Sequence, residues 1–362
     1  MFDFIKNIFS GNKSYVGVDI GTTSIKAVEL SLKGQIPYLN NYAILESFGH
    51  FERANNVIQA NAVKISEKET VAMLKILFKS GGFKTRSVIA SVPQFSSYIS
   101  LIELPDMSEE ETQKTMVFQI KQNIPLPLSD IAIDWIRVGQ RKDENGFVKQ
   151  QVLLVAIPNE TIARFKSIFK SAGLNLRALE VENLSYVRSV IGSDQTPTII
   201  VDIGARSTGI SVVEQGFLKG VTQVDYAGDS LTSAIVKGLG ISYKRAEELK
   251  KQRGITGGVG EYELSTLEIP FIDVIINEVK KVKAKFEGEF GVNIQRVILI
   301  GGGANLVGIE EYFSGKFDVP VVLGNGLLYI EAPSRINVVG KEIQTRFAGA
   351  IGLAIKGFMQ SN

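Results

Sequence analysis

Two short segments of the chain combine an aspartate, a glycine and small hydroxyl side chains at almost the same spacing. The first, DIGTTSIK, runs from Asp19 to Lys26, and the second, DIGARST, runs from Asp202 to Thr208. A polyphosphate needs closely spaced backbone N–H donors, which a turn without bulky side chains provides, and it gains from hydroxyl donors and a nearby cation. Both segments therefore predict phosphate-binding turns.

The first turn supplies all of these groups. We expect Gly21, Thr22, Thr23 and Lys26 to contact the phosphates. Asp19, at the end of the preceding strand, is placed to orient the water around Mg²⁺, which keeps most of its hydration shell in proteins. Taken alone, the same residues would equally suit an ordinary hairpin turn with a capping aspartate.

The second turn favours phosphate binding over an ordinary hairpin turn, because two turns that face each other can hold a phosphate chain from both sides. Here Gly204, Ser207 and Thr208 are the expected phosphate contacts, and Asp202 is the second residue expected near Mg²⁺. Arg206 stands where a small residue is expected. Its side chain either points outward or contacts the terminal phosphate, and the sequence leaves both alternatives open.

Two further segments suit the nucleoside end of a nucleotide. IGGGAN follows the strand-like RVILI, and consecutive glycines at a strand end let a flat ligand lie against the backbone. AEELK lies on a predicted helix, with its charged residues three apart on one face. A flexible loop and a surface salt bridge are the alternative interpretations. The expected adenosine contacts are Gly301, Gly302, Gly303 and Asn305 in the first segment and Glu247 and Lys250 in the second.

The elements that position these groups repeat along the chain. β-branched residues on both sides of a Gly/Thr turn predict a hairpin from Tyr15 to Leu30. The same order of strand, turn and strand returns in TPTIIVDIGARSTGISVVEQG, which predicts an internal duplication. Alternating strands and helices elsewhere predict α/β lobes whose sheets are covered by helices.

Between the two halves, the pattern changes over residues 96–181. The strand-like SYISLIEL, a helix with an acidic first turn, a proline-rich loop and two more strands lead into the helix NETIARFKSIFKSAG. This order predicts a compact inserted α+β subdomain.

Composition narrows the class of protein. The 362 residues, 44% hydrophobic and 22% charged, suit two joined domains rather than one core. A net charge of +2 disfavours nucleic acid as a partner, while zero cysteines and a single histidine, His50, exclude disulfides and multi-histidine zinc sites. Neither a membrane span nor a secretory signal is expected. The leader MFDFIKNIFS puts Phe2, Ile5 and Phe9 on one helical side, for packing on protein or for contact with a membrane surface.

In this order and spacing, DIGTTSIK, DIGARST, IGGGAN and AEELK resemble the two phosphate motifs, the adenosine motif and the ribose-binding helix of the actin, Hsp70 and sugar-kinase superfamily. The resemblance implies an α/β, actin-like ATPase fold of two duplicated ribonuclease-H-like lobes that bind ATP and Mg²⁺. An insertion after SVPQ is similar to that of the division protein FtsA. The divisions it implies are 1–95 with 182–196 for the first lobe, 96–181 for the insertion, 197–225 with 296–362 for the second lobe, and 226–295 for its helical subdomain.

Over essentially its whole length the chain most resembles the PilM family of type IV pilus assembly. The resemblance is carried by FDFIKNIF, LPDMSEEETQKTMVFQIKQNIPLPLSDIAIDWIRV, GDSLT and FAGAIGLAIKG. It implies a cytoplasmic ATP-binding adaptor at the inner membrane, peripheral to it through a partner. Such an adaptor captures the N-terminal cytoplasmic peptide of PilN in a groove between the first lobe and the insertion. It thereby links the PilN–PilO complex to the pilus motor ATPases.

Hydrolysis of ATP would need a residue that positions water. Glu182 in LEVENLSYV, where the chain re-enters the first lobe, is the candidate, against an ordinary helix-capping role. We expect turnover to be slow or absent and the nucleotide state to switch partner affinity. Two alternatives remain, namely an FtsA-like polymerising protein on membranes, which would self-associate, and a sugar-kinase-like small-molecule kinase.

Overall fold

The computed structural model describes residues 14–46, 67–124, 126–255, 262–333 and 340–359. The leader and His50 lie outside these residues. Within them the strands are β1 Ser14–Ile20, β2 Ser24–Lys33, β3 Ile36–Glu46, β4 Ser87–Val92, β5 Tyr98–Pro105, β6 Ile131–Lys142, β7 Val148–Pro158, β8 Asn175–Val181, β9 Thr198–Ile203, β10 Thr208–Glu214, β11 Phe217–Val224, β12 Arg296–Ile300 and β13 Val321–Leu323.

The helices of the described residues cover the sheets formed by these strands. Their bounds are α1 Glu67–Ser80, α2 Glu109–Asn123, α3 Asn159–Ser171, α4 Glu182–Tyr186, α5 Gly228–Leu239, α6 Tyr243–Arg253, α7 Tyr262–Phe290, α8 Ile309–Ser314, α9 Gly340–Arg346 and α10 Ala348–Met359. None of them is long and apolar enough to cross a membrane.

Two sheets of the molecule have the same topology. The first has the order β3-β2-β1-β4-β8 and the second the order β11-β10-β9-β12-β13. In each, three antiparallel strands are followed by two parallel ones. The predicted duplication is confirmed. Sequence patterns missed β3 and β11, the third strand of each meander.

Each sheet is covered by its own helices, and we call each sheet with these helices a lobe. In the first lobe, α1 and α3 bury side chains such as Leu74 and Phe169 against β1 and β4. In the second, α7 and α8 bury side chains such as Ile276 and Phe313 against β9 and β12. Between the lobes lie α4, a π-helical turn at Val187–Ile191, and α10, which packs on both β1 and α4.

A third sheet, β5-β7-β6, forms the inserted sheet, with α2 on one face. Helix α2 begins at a capping box in which Ser108 and Glu111 exchange hydrogen bonds, as the acidic first turn predicts. The insertion expected from sequence ends at residue 181. However, β8 pairs in parallel with β4, and α3 packs against α1 in the first core. Strand β8 and helix α3 thus pack as parts of the first lobe, whereas Tyr98–Pro158 forms a separate sheet with its own helix.

Candidate functional site

The two Asp-Ile-Gly segments form turns that close in the same way. In the first, the N–H of Gly21 donates to the carbonyl of Ser24 at 3.0 Å, and in the second, the N–H of Gly204 donates to the carbonyl of Ser207 at 3.1 Å. Each turn joins two antiparallel strands, with the aspartate one residue from the end of the first strand. The equivalence expected from sequence is thus present in the backbone.

Asp19 in the first turn is held by a cation and a hydroxyl. Lys26 lies opposite it in the β1–β2 register, and its Nζ donates to Asp19 Oδ2 at 3.1 Å. Ser91 at the end of β4 donates to Oδ1 at 3.1 Å. Asp19 is buried and Lys26 nearly so, whereas Thr22 and Thr23 are half-buried at the turn.

Asp202 in the second turn lacks such a cation in direct contact among the described residues. The Tyr186 hydroxyl donates to its Oδ2 at 2.7 Å. Burial raises the pKa of Asp202, and the charge of Asp19 adds to that rise, against the opposing effects of Lys26 and Tyr186. Sequence analysis missed Tyr186. Its position four residues after Glu182 in a helical segment, on the same face, was the available signal.

Glu182 lies in the same electrostatic environment as both aspartates. Its Oε1 accepts a hydrogen bond from the backbone N–H of Gln94 at 2.9 Å. Burial raises the pKa of Glu182 to about 8, with further upward contributions from Asp202 and Asp19 and a downward one from Lys26. Lys26 thus contacts Asp19 directly and acts on Asp202 and Glu182 through its charge, and we call these four residues the carboxylate cluster.

The hydroxyl-bearing residues of the second turn face different ways. Ser207 is half-buried at the turn. Thr208 is fully buried, and its hydroxyl donates to the carbonyl of Tyr226 at 2.7 Å. That hydroxyl proton is therefore used inside the lobe, contrary to the phosphate contact expected for Thr208. Arg206 points toward Asp229, with its Nε 3.7 Å from Oδ2.

The glycine loop after β12 packs directly on the second turn. Gly301 has a φ of 86°, and a Cβ there would lie 2.3 Å from Asp202 Oδ1. A Cβ on Gly303 would lie 2.2 Å from Ile203 Cγ2, whereas Gly302 is exposed and open. Asn305 is held by Thr345, to whose hydroxyl it donates at 2.8 Å. The expected adenosine contact of Asn305 thus competes with an internal bond.

Glu247 and Lys250 form a buried ion pair on α6, at 2.6 Å. Thr232 donates to Glu247 Oε2 at 2.6 Å, and Lys250 donates to the carbonyl of Gly228 at 3.0 Å. Burial raises the pKa of Glu247, but Lys250 and its other partners outweigh it and lower the net value. The pair is therefore not a surface salt bridge, which was the alternative interpretation.

Backbone hydrogen bonds join this pair to the second turn. Gly228 N–H donates to the carbonyl of Gly204 at 3.2 Å, and Asp229 N–H donates to that of Ala205 at 2.6 Å. The start of α5 thus rests on the turn, and Lys250 binds the carbonyl of the same Gly228. The four sequence motifs divide into the first turn on one lobe and a connected group of three on the other.

The carboxylate cluster has the charge balance of a site for a hydrated divalent cation. It holds three carboxyl groups and one ammonium group. The charges of Asp202 and Asp19 raise the pKa of Glu182, and that of Asp19 raises the pKa of Asp202. No three His, Cys, Asp or Glu side chains of the described ranges lie close enough to hold a metal ion directly. The residues fit Mg²⁺ bound through water, since this ion keeps several of its waters.

Two duplicated lobes with matched turns and a glycine loop on the second define a protein of the actin-like ATPase fold. Solved structures of this fold class match over nearly the whole chain. A chain of a PilM–PilN type IV pilus biogenesis complex is 19% identical with a TM-score of 0.78, over 95% of this chain and 98% of that one. EutJ from Carboxydothermus hydrogenoformans is 18% identical with a TM-score of 0.56, over 98% of this chain and 93% of that one. MreB5 of Spiroplasma citri bound to ADP is 14% identical with a TM-score of 0.55, over 97% of this chain and 98% of that one.

The sequence places the chain within this class. A family model described as type IV pilus assembly protein PilM matches residues 17–358, so the chain belongs to the PilM family. The cell division protein FtsA of Enterococcus faecalis is 23% identical over 85% of this chain and 78% of its own length. FtsA of Neisseria meningitidis is also 23% identical, and the match spans 53% of its length.

Proposed function

We propose that this chain is an ATP-binding adaptor of type IV pilus assembly, which holds Mg·ATP between its two turns. The observation that carries the proposal is the convergence of Asp19, Asp202 and Glu182 on Lys26, between two turns of the same backbone geometry. Mg²⁺ supplies the charge that neutralises phosphate oxygens. The ADP bound in the related MreB5 structure supports the same kind of ligand here.

Each group of the site has a proposed role in this arrangement. The N–H groups and hydroxyls of Thr22, Thr23 and Ser207 bind phosphate oxygens. Gly21 and Gly204, whose own N–H groups close the turns, keep side chains away from the phosphates. Lys26 contributes a cation, and Asp19 and Asp202 orient water around Mg²⁺. Gly301, Gly302 and Gly303 give the nucleoside a flat backbone surface, and Glu247 and Lys250 lie where hydroxyls of a ribose can be bound. Asn305 and Thr208 support these groups from inside the lobe.

We propose that hydrolysis is slow or absent. A general base must be ionised at the working pH. Without a bound cation, burial keeps the pKa of Glu182 at about 8, and one oxygen is already occupied by Gln94 N–H. Glu182 is the proposed water-positioning residue, but for these reasons it is a poor general base. The nucleotide therefore acts mainly as a conformational ligand.

The proposed partner is the N-terminal cytoplasmic peptide of PilN, bound in a groove between the first lobe and the inserted sheet. The PilM–PilN complex among the similar structures supports it. Binding this peptide would hold the chain at the cytoplasmic face of the inner membrane, where it would link PilN–PilO to the motor ATPases. The domain divisions stay as stated from sequence, except that we propose to end the insertion at Pro158.

Calorimetry with Mg·ATP tests the nucleotide site. Asp19→Ala removes one carboxyl of the cluster, and Gly204→Val blocks the second turn. We expect each to lower ATP affinity at least about a hundredfold. For Asp19→Ala the reason is that truncating one member of a buried charge pair costs roughly 2–5 kcal/mol, and for Gly204→Val it is that side-chain carbons crowd the turn. The far-ultraviolet spectrum should stay unchanged. Wild-type affinity in a folded Asp19→Ala protein would refute the site.

Co-purification with a synthetic PilN N-terminal peptide, with and without ATP, tests the partner. We expect retention of the peptide and a dependence on nucleotide. The FtsA relatives make a polymerising protein the second candidate, and pelleting with ATP and lipid vesicles distinguishes it. Filaments on vesicles without peptide binding would favour that candidate. Phosphorylation of any polyol or sugar in a screen would instead indicate a small-molecule kinase.

A further inference from the structure

The inserted sheet has two apolar faces, and alternate residues of β7 separate them. Val152, Leu154 and Ala156 pack with α2, through side chains such as Met116 and Ile120. The residues between them point to the other face, as strand geometry requires. That second face is turned toward the two lobes.

Along this second face, β7 crosses from one lobe to the other. Val155 and Ile157 belong to the core of the first lobe. Leu153, together with Val138 of β6, belongs to a cluster that contains Val213 and other side chains of the second sheet. The inserted sheet, although continuous in sequence with the first lobe, therefore bridges both lobes.

A buried lysine fixes the second-lobe end of this bridge. Lys219 of β11 is 3% exposed. Its Nζ donates to the carbonyl of Val138 and to Gln151 Oε1, both at 2.7 Å, and pairs with Glu214 at 3.0 Å. Two of its partners thus lie on the inserted sheet and one on its own hairpin. Burial lowers the pKa of Lys219, and the carboxylate of Glu214 opposes that change.

The inserted sheet is shaped to receive this ammonium group. Gly139, at a bulge of β6, has a φ of 156°, and a Cβ there would lie 2.6 Å from Lys219 Nζ. Gln151 is held in place because its amide donates to Glu103 at 3.0 Å. Glu103 is in turn bound through both oxygens by Arg141, at 2.5 and 2.7 Å. We call Lys219 with Val138, Gln151 and Glu214 the lysine clasp.

The two ends of the bridge resist motion unequally. Separating the inserted sheet from Lys219 would leave the carbonyl of Val138 and the amide oxygen of Gln151 without this buried donor, and Lys219 with Glu214 alone of its three clasp partners, which is unfavourable. The first-lobe end is made of Val155 and Ile157, whose apolar contacts are non-directional and permit small sliding movements. When the lobes rotate relative to each other, the inserted sheet should stay with the second lobe and slide on the first.

We propose that the lysine clasp makes the inserted sheet follow the second lobe, so that lobe closure on a nucleotide reshapes the groove between this sheet and the first lobe. This inference rests on the proposed function, which supplies the nucleotide between the lobes and the peptide in the groove. It adds the element that joins them, with Lys219 as a positioning residue that touches neither nucleotide nor peptide.

Calorimetric titration of the full chain with the synthetic PilN peptide, with and without the Mg²⁺ complex of a non-hydrolysable ATP analogue, tests this. In the wild type we expect the analogue to change the peptide Kd by roughly 5- to 150-fold, the usual range of allosteric coupling. In Lys219→Met the change should fall below about twofold, while the Kd of each ligand alone stays near the wild-type value. Lys283→Met, which removes a lysine paired with Glu287 and Asp318 inside the second lobe, should keep the coupling.

Hydrogen exchange of the ligand-free proteins gives a second measurement that needs neither ligand. In Lys219→Met, we expect the amides of β6 and β7 near Val138 and Gln151 to exchange at least about tenfold faster, with those of β1 and β4 unchanged. Full coupling in a folded Lys219→Met protein, or unchanged exchange in β6 and β7, would overturn the inference. Absence of nucleotide or peptide binding in the wild type would instead refute the proposed function. The exchange data would still test whether Lys219 holds the inserted sheet to the second lobe.

Discussion

The two lobes hold equivalent aspartates in turns of the same geometry but compensate their charges differently. In the first, Asp19 has the ammonium group of Lys26 at 3.1 Å. In the second, Asp202 has the neutral hydroxyl of Tyr186 at 2.7 Å. The backbone duplication has thus kept the turn and changed the side chains around it. Burial raises the pKa of Asp202 in the second turn.

A pair of fully buried glutamates repeats this difference. Glu180 at the end of β8 is bound by Arg188 through both oxygens, at 2.6 and 3.0 Å, and by Lys356 at 3.1 Å. Glu268 on α7 is 0% exposed, and within the described residues neither of its oxygens accepts a hydrogen bond. Glu180 in the first lobe is therefore balanced by two cations, whereas Glu268 in the second lobe, next to the nucleotide site we propose, is not. Charge supplied from outside, or a change of pH, should act mainly on the second lobe.

The largest effect should come from Glu180→Gln. The substitution keeps the shape of the side chain but leaves Arg188 and Lys356 without their counter-charge. Removing one partner of a buried ion pair typically costs about 3–5 kcal/mol, and urea unfolding of the ligand-free protein measures it. Burial alone would raise the pKa of Glu180, but the two cations lower the net value below 4.5. Its contribution is therefore present above pH 4.5 and lost as pH falls through the lowered pKa.

A neutral effect of Glu180→Gln would show that the two cations find other partners and would remove the contrast between the lobes. Glu180→Asp is the matched control. It keeps the charge and shortens the side chain, so a loss smaller than that of the glutamine variant would assign the effect to charge rather than to shape.

The same exchange at Glu268 should have the opposite sign. Burial raises the pKa of Glu268 from 4.5 to about 8, with Lys250 lowering it and Glu247 raising it. The folded protein then binds more protons than the unfolded chain between these values, so stability falls as pH rises through this window. In the wild type, the contribution of Glu268 to the unfolding free energy falls by about 2 kcal/mol between pH 6 and pH 8. Glu268→Gln should abolish this part of the loss.

Unfolding free energies of both proteins at several pH values between 5 and 9 measure this difference. Subtracting the two profiles cancels the titration of Glu182 and of every other group that both proteins share. Parallel profiles would mean that Glu268 is solvated or paired, and the second lobe would then be as well compensated as the first.

Local sequence patterns identified the turns but not their surroundings. The hairpins could be predicted because β-branched runs flank glycine at a fixed spacing, which is a short-range signal. The pairing of β8 with β4 could not, because parallel partners are distant in sequence and β8 runs directly into α4. The predicted insertion therefore extends to residue 181, whereas we propose that it ends at Pro158.

The charge balance of the site could not be predicted from the sequence either. Glu182 was identified by its place in the chain, but its electrostatic interaction with both aspartates depends on how the lobes meet. The bonds that occupy Thr208 and Asn305 come from Tyr226 and Thr345, in other segments of the lobe. A polar side chain at a turn indicates chemistry, whereas its availability is decided by tertiary contacts.

Alanine at the central glycine of each turn compares the backbones directly. A Cβ on Gly204 would lie 2.7 Å from the carbonyl oxygen of Ser207, whereas a Cβ on Gly21 would lie 3.3 Å from that of Ser24. We expect Gly204→Ala to cost about 1–3 kcal/mol through displaced backbone. Gly21→Ala should be nearly neutral, because reduced freedom of the unfolded chain offsets the mild contact. Equal losses in urea unfolding would show that the two turns are equally tight.

The smallest effect should come from the cation that is specific to the second turn. Arg206 lies 3.7 Å from Asp229, and both side chains are about 30% exposed. Pairs of this kind contribute roughly 0–1 kcal/mol, so Arg206→Met should change the unfolding free energy by less than about 1 kcal/mol. Lys26→Met is the matched variant in the first turn. It should cost more, because its partner Asp19 is buried and, among the described residues, would keep Ser91 alone as a side-chain donor. A larger loss for Arg206→Met than for Lys26→Met would reverse the contrast, placing the compensating cation of the site on the second lobe.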